Sequence, residues 1–190
     1  MRELDPQFIR VAEAFFHVRR HKKAIKGGYE DVKASPGIGW KRLGAGCYGE
    51  AWEHADWPGL VLKISGPMYW GYDSRDVESR PDAWPILARH AMAHPSPHLP
   101  NIMHFVQYNA RMAWGIMPKY IPCNYIPEDA MHVQGCLNGD ETDEEWLWPL
   151  QQMCQALDLC VDLHSENVML DHDGTYIITD PFTQRNYGES

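Results

Sequence analysis

Between residues 38 and 64 the chain breaks into three short β-forming runs, 40–43, 50–54 and 60–64, separated by glycine-bearing turns at 44–49 and 56–59. Strands joined by turns this short pair antiparallel, because a parallel crossover needs roughly a dozen residues or more. The spacing therefore predicts a three-stranded antiparallel meander. A further strand pair is expected at 103–108 and 112–117, around a turn at 109–111.

Elsewhere the apolar period is helical. Asp5-Pro6 is a helix opening, an N-cap acceptor followed by proline at the first helical position. Phe8, Val11, Ala12, Phe15 and Val18 then define one apolar face, and the helix is expected to fade at Gly27-Gly28. The basic run Arg19, Arg20, Lys22, Lys23 and Lys26 suits a solvated helix C-terminus and its dipole. Trp84, Leu87, Ala88 and Ala91 mark a helix over 82–93 with Pro85 in its first turn, and the three prolines of 94–100 mark a loop. Thr142 and Glu145 fit a capping box ahead of a face made by Trp146, Leu150, Met153 and Leu157. An irregular segment (160–167), a short apolar run (168–170), an Asp-Gly turn at 173–174 and a strand at 176–179 follow. The order is a β-rich half and then a mainly helical half, an α+β chain.

A length of 190 residues supports one buried core, shaped at most as two lobes. The net charge of −9 lacks the broad basic surface needed to hold nucleic acid by its phosphates, so no direct nucleic-acid partner is expected. The five cysteines form no C-x-x-C pair and read as reduced thiols of a cytoplasmic protein. No apolar run approaches the ~18 residues of a membrane span, and no membrane partner is expected. His90, His94 and His98 are four apart, but Pro95 and Pro97 break the helix that i, i+4 ligation needs, so they read as ordinary histidines. The acidic run 140–145 reads as a solvated helix opening.

Four signals in a fixed order carry chemistry. Gly44-Ala45-Gly46-Cys47-Tyr48-Gly49 lies between two expected strands, where glycines let backbone N–H groups approach phosphate oxygens. A dinucleotide site would place a helix directly afterwards, whereas Glu50-Ala51-Trp52-Glu53-His54 reads as a strand. Lys63, in Val61-Leu62-Lys63-Ile64, is a lysine in an apolar strand, costly to bury unless its ammonium meets anions. Asp162 is followed five residues later by Asn167, the spacing of a catalytic base and a metal-binding amide on one loop. Asp180 ends the strand Tyr176-Ile177-Ile178-Thr179 and offers a carboxylate to the same magnesium.

These residues carry a resemblance. Leu43-Gly44-Ala45-Gly46, Val61-Leu62-Lys63, Leu99-Pro100-Asn101, the run Asp162-Leu163-His164-Ser165-Glu166-Asn167-Val168-Met169 and Tyr176-Ile177-Ile178-Thr179-Asp180-Pro181 are similar to the early serine/threonine protein kinases of short-tailed coliphages, over roughly residues 40 to 186. The Asp-Leu-His run also resembles that of aminoglycoside phosphotransferases. The resemblance implies a protein-kinase-like bilobal fold over residues 1–190: a helical extension (1–35), a β-rich N-terminal lobe (36–117) and a truncated, mainly helical C-terminal lobe (118–190). It implies ATP and Mg2+ as cofactors, with the 44–49 loop and Lys63 on the triphosphate, Asp162 as base, and Asn167 and Asp180 on the metal. Met117 would stand at the back of the adenine pocket, with the Pro118 carbonyl and the Tyr120 N–H reading adenine. Host RNA polymerase or an associated factor is the implied protein substrate, in a host bacterial cytoplasm.

The chain also departs from the kinase pattern. Cys160-Val161 replace His-Arg, and Asp180-Pro181-Phe182 replaces Asp-Phe-Gly. Glu78, Asp76 and Asp82 compete as partner of Lys63. The chain ends ten residues after Asp180 without an Ala-Pro-Glu segment. Two other functions fit the same residues: a small-molecule phosphotransferase, and a kinase-shaped binding protein that occupies a host factor with little turnover.

Overall fold

The computed structural model describes residues 4–24, 38–45, 49–66, 82–109, 112–123 and 125–184. Gly46, Cys47 and Tyr48, the candidates Asp76 and Glu78, and the expected helix end at Gly27-Gly28 lie outside the described residues. The chain forms two compact units. The first runs from the N-terminus to Asp82 and resumes at Met103–Pro118; the second takes Ala83–Ile102 and the chain from Lys119 onward.

In the first unit, β1 (Trp40–Ala45), β2 (Gly49–His54) and β3 (Leu60–Ser65) form the expected meander. With β4 (His104–Asn109) and β5 (Met112–Pro118) they make a five-stranded sheet in the order β1-β2-β3-β5-β4, antiparallel at every ladder. Helix α1 (Pro6–Ala24) packs on one face of it. Asp5 caps the helix, its Oδ1 accepting the Gln7 N–H at 2.8 Å and its Oδ2 the Trp57 indole N–H at 2.9 Å. Those two bonds, with Arg10 nearby, hold the Asp5 carboxyl below the usual carboxylate range.

The buried face of α1 is Phe8, Ala12, Phe15 and Phe16 against Trp40, Trp52, Leu62, Ile64, Trp114 and Ile116. Phe15 stacks on Trp40 with ring centroids 4.4 Å apart and meets Trp52 edge-on at 5.1 Å. Burying each large apolar side chain contributes about 1.5–3 kcal/mol relative to exposure. Val18, expected on this face, is 51% exposed, whereas Arg19 is 4% exposed. The stripe turns toward residues 15, 16 and 19 because Arg19 has an anion to meet inside, Glu50 on β2.

The second unit contains α2 (Trp84–Ala93), α3 (Glu128–Leu137) and α4 (Leu147–Ala156). Pro85 sits in the first turn of α2, and Trp84, Leu87, Ala88 and Ala91 are buried, as the stripe predicts. Sequence reading assigned no element to α3, although Glu128 and Asp129 in its first turn and the apolar set Ala130, Val133, Cys136 and Leu137 are a helix signature. The expected capping box at α4 does not form. Trp146 is the N-cap without a side-chain bond, and the Thr142 hydroxyl accepts the Glu144 N–H instead, at 3.1 Å. The helix begins later than expected, so Leu147, Leu150 and Cys154 are its buried residues while Leu157 is 51% exposed. Four of the cysteines, Cys123, Cys136, Cys154 and Cys160, are free thiols, and burial pushes Cys154 up to about 12.

His90 and His94 share the end of α2, ring centroids 4.8 Å apart, beside a cavity of about 420 Å3 lined also by Ile86, Arg89, Met153 and Leu157. Burial first, and then His94, holds His90 below the ordinary histidine value of 6.5. Burial likewise lowers His104. The unfolded chain therefore binds these protons more readily. The native state keeps this stability above pH 6.5 and loses it as pH falls through that value toward the lowered pKa. Urea midpoints measured from pH 8 to pH 5 should fall with acid, and His90→Phe should flatten that fall; a parallel profile in the variant would contradict this origin.

Candidate active site

Two small ladders in the second unit bring together the carboxylates and the amide singled out by spacing. Helix α4 ends at Ala156, and Asp158, with a left-handed φ of 49°, turns the chain into β7 (Leu159–Val161). Strand β7 pairs antiparallel with β10 (Phe182–Gln184), Val161 opposite Phe182. β8 (Val168–Leu170) pairs with β9 (Tyr176–Ile178), Val168 opposite Ile178. Asp162 thus leaves β7, Asn167 enters β8, and Asp180 lies in the link from β9 to β10. The β8–β9 turn is fixed by Asp171, whose Oδ1 accepts the N–H groups of Asp173 and Thr175, both at 2.9 Å. Gly174 takes a φ of 85° there, a conformation glycine adopts without strain.

Direct bonds cross between these segments. The Asp162 N–H donates to the Pro181 carbonyl at 2.7 Å. The Asn167 carbonyl accepts both the N–H of Thr179, at 2.8 Å, and its hydroxyl, at 3.1 Å. The Asn167 side-chain NH2 donates to the Asp162 carbonyl at 2.7 Å and lies 2.9 Å from Nε2 of His164. Asp162 is exposed, and Asn167 and Asp180 are half-buried. Thr179 and Pro181, to which the sequence alone assigns no role, tie the Asp180 segment to Asn167 and Asp162. The signal was their position flanking Asp180.

The neighbouring segment 98–101 docks by specific bonds. The Ile178 N–H donates to the His98 carbonyl at 2.9 Å, and the His98 ring stacks on Tyr176 at 4.2 Å. The Tyr120 hydroxyl accepts the Asn101 N–H at 2.9 Å. Burial chiefly, with the Asp171 carboxylate adding, raises the Tyr120 phenol above its ordinary value. β6 (Ile121–Pro122), directly after Tyr120, pairs with β8.

In the first unit, Lys63 stands on β3 opposite Ala51 of β2 and Gly115 of β5. Side chains alternate along a strand, so Leu62 and Ile64 face α1 and Lys63 faces the other way. Val61 and Met117, opposite each other, share the Lys63 face, and Met117 is buried. Its cross-strand neighbours on both sides, Ala51 and Gly115, are small. Ser65, also on this face, donates its hydroxyl to the buried carboxylate of Asp82 at 2.5 Å, which brings one of the three expected partners of Lys63 to the same strand. Pro118 closes β5 opposite Leu60.

The 44–49 turn leaves β1 through a register shift between Arg42 and Gly44, with Ala45 opposite Glu50. A Cβ at Gly49 would lie 2.9 Å from the Ile64 carbonyl oxygen, so glycine is required for β2 to start against β3. Among the described residues, nothing lies within 4 Å of the Cβ position of Gly44.

The donor set suits a hard cation. The Asn167 side-chain NH2 is held by the Asp162 carbonyl, and the Asn167 Oδ1 and the Asp180 carboxylate are hard oxygen donors. Among the described residues no three His, Cys, Asp or Glu side chains cluster into a metal cage. No helix among the described residues is long and apolar enough to cross a membrane.

No family model matches the sequence, and no curated protein matches it either. Among solved structures, the chain is similar to the apo form of PpkA-294, with a TM-score of 0.42 and 12% identity over 76% of this chain and 58% of that one. It is also similar to WbdD, solved with the kinase inhibitor LY294002, with a TM-score of 0.36 and 16% identity over 74% of this chain and 31% of that one. The chain spans less than two thirds of either structure.

Proposed function

We propose that the protein is a kinase-type phosphotransferase that moves the γ-phosphoryl group of ATP to a serine or threonine hydroxyl of a protein. What supports this most is the pair of ladders that holds Asp162, Asn167 and Asp180 within one hydrogen-bonded frame. Asp162 accepts the proton of the acceptor hydroxyl as that oxygen bonds to the γ-phosphorus. The bond from the γ-phosphorus to the bridging oxygen breaks, and its electron pair leaves with ADP. Asn167 and Asp180 would hold Mg2+, which would supply positive charge to offset that of the triphosphate. Lys63 and the backbone of the 44–49 turn orient the triphosphate, Met117 backs the adenine, and Pro118 and Tyr120 read its edge through their backbones. Positioning and electrostatics, rather than covalent chemistry by the protein, provide the rate. Host RNA polymerase or an associated factor is the substrate that the phage resemblance suggests.

Incubation with γ-labelled ATP, Mg2+ and bacterial lysate tests this. Labelled protein bands carrying phosphoserine or phosphothreonine are expected. Label confined to small metabolites would move the protein to the small-molecule phosphotransferases, and no transfer at all would overturn the reading. Lys63→Ala should raise the KM for ATP by about 10–100-fold, the loss of a charge-assisted bond of about 1.5–3 kcal/mol. Wild-type KM and rate in that variant would remove Lys63 from the site.

A further inference from the structure

Strand β9 is the edge strand of the order β6-β8-β9, and a single residue takes backbone groups on its open side. The His98 carbonyl accepts the Ile178 N–H at 2.9 Å, and His98 Nδ1 lies 3.1 Å from the Tyr176 carbonyl oxygen. A carbonyl oxygen only accepts, so this bond puts the imidazole proton on Nδ1. His98 thus offers one acceptor and one donor to residues 176 and 178, as a neighbouring strand would. Its ring packs on Tyr176 at 4.2 Å and on Trp146 at 5.0 Å. The loop that carries it is stiff. Pro95 and Pro97 fix their own φ, and the Ser96 hydroxyl accepts the His98 N–H at 3.2 Å. The Ser96 carbonyl accepts the Leu99 N–H, also at 3.2 Å, and Leu99 is buried.

We propose that His98 is a positioning residue: its Nδ1–H and its carbonyl hold the open edge of β9 and so fix Asp180 beside Asn167. The proposal rests on the functional reading above, in which Asn167 and Asp180 share a divalent cation. On its inner side β9 has only a three-residue ladder with β8, which is short enough to slide or twist when the other edge is released. The consequence reaches the site within two residues. Thr179 follows Ile178 directly and bonds the Asn167 carbonyl twice, through its N–H and its hydroxyl, and Asp180 comes next. A shift of β9 therefore moves the Asp180 carboxylate relative to the Asn167 amide, although His98 touches neither side chain in the bonds described.

Isosteres separate the donor from the ring. The asparagine amide nitrogen takes the place of Nδ1, the glutamine nitrogen takes that of Nε2, and phenylalanine keeps the stacking without a donor. The test is the affinity of Mn2+, followed by electron paramagnetic resonance, with the full chain and a non-hydrolysable ATP analogue. His98→Phe and His98→Gln should each weaken Mn2+ about 10-fold, and His98→Asn should stay within about threefold of wild type. In the metal-free protein, 15N spectra of labelled histidine should place the His98 proton on Nδ1. Exchange of the Thr179 amide hydrogen should quicken in the Phe and Gln variants and return toward wild type in the Asn variant. A proton on Nε2, or equal losses in all three variants, would overturn the role of the donor. Asp180→Ala separates the two layers of the reading. If it weakens Mn2+ while His98→Phe leaves affinity within about twofold, the positioning role is overturned and the metal site stands. If Asp180→Ala leaves Mn2+ binding unchanged, the metal site falls and the inference with it.

Discussion

Replacing Asp162 by alanine will slow phosphoryl transfer by about 10²–10⁴-fold, the contribution of a positioned general base, while nucleotide still binds. The substitution isolates the carboxylate because the bonds that fix residue 162 belong to its backbone. Its N–H donates to Pro181 and its carbonyl accepts from Asn167, both at 2.7 Å, and alanine keeps both. The Asp162 side chain is exposed, so its removal leaves no cavity and no stranded charge. A loss of rate will therefore report on chemistry rather than on folding. Single-turnover transfer from γ-labelled ATP, alongside fluorescence titration of a nucleotide analogue, measures the two effects separately. Turnover within threefold of wild type would overturn the assignment of Asp162 as base. The same variant also decides about binding without catalysis. A kinase-shaped binder would still capture its host partner after Asp162→Ala and retain its cellular effect, whereas an enzyme would lose the effect with the rate.

What could be read from the chain alone follows from how local each signal is. The meander was legible because alternation, glycine turns and strand length all act within about ten residues. Asn167 and Asp180 come close because the short β8–β9 ladder lies between them, Val168 opposite Ile178, and so returns the chain beside itself. Val18 and Arg19 show where such reading fails. Period alone favours the valine, but the helix turns to bury the arginine because a glutamate 31 residues away completes it, and no local pattern contains that partner. Thr142 fails for a related reason. Its hydroxyl has a nearer N–H, that of Glu144, and takes it, so α4 starts beyond reach of the predicted box. The orientation of the Asn167 amide was not legible at all, since it depends on the backbone carbonyl of Asp162, five residues earlier on an irregular loop.

The pair that misled the helix reading also carries the largest effect expected on stability. Glu50→Ala will destabilise the fold by about 3–5 kcal/mol, the usual result of removing one partner of a buried ion pair. Arg19 and Glu50 are 4% and 1% exposed, and their two contacts, Nη2 to Oε1 at 2.5 Å and Nε to Oε2 at 3.2 Å, engage both carboxylate oxygens. The Trp52 indole donates to Oε2 at 3.1 Å, and the guanidinium lies 5.0 Å from the Trp52 ring centroid. Alanine at position 50 strands the guanidinium and the indole N–H together, away from water, and among the described residues neither has another acceptor. Glu50→Gln should cost less, because one amide oxygen still accepts. Replacing both ionic partners at once, as in Arg19→Met with Glu50→Leu, should restore most of the loss, because a packed apolar pair pays no desolvation penalty. Urea unfolding followed by tryptophan fluorescence gives all three values. A loss below 1 kcal/mol for Glu50→Ala would mean that water reaches the pair. Glu50 directly follows Gly49 and sits opposite Ala45, so this network also anchors the root of the 44–49 turn. If the turn cradles phosphate, Glu50→Gln should therefore raise the KM for ATP even at temperatures where the variant is fully folded.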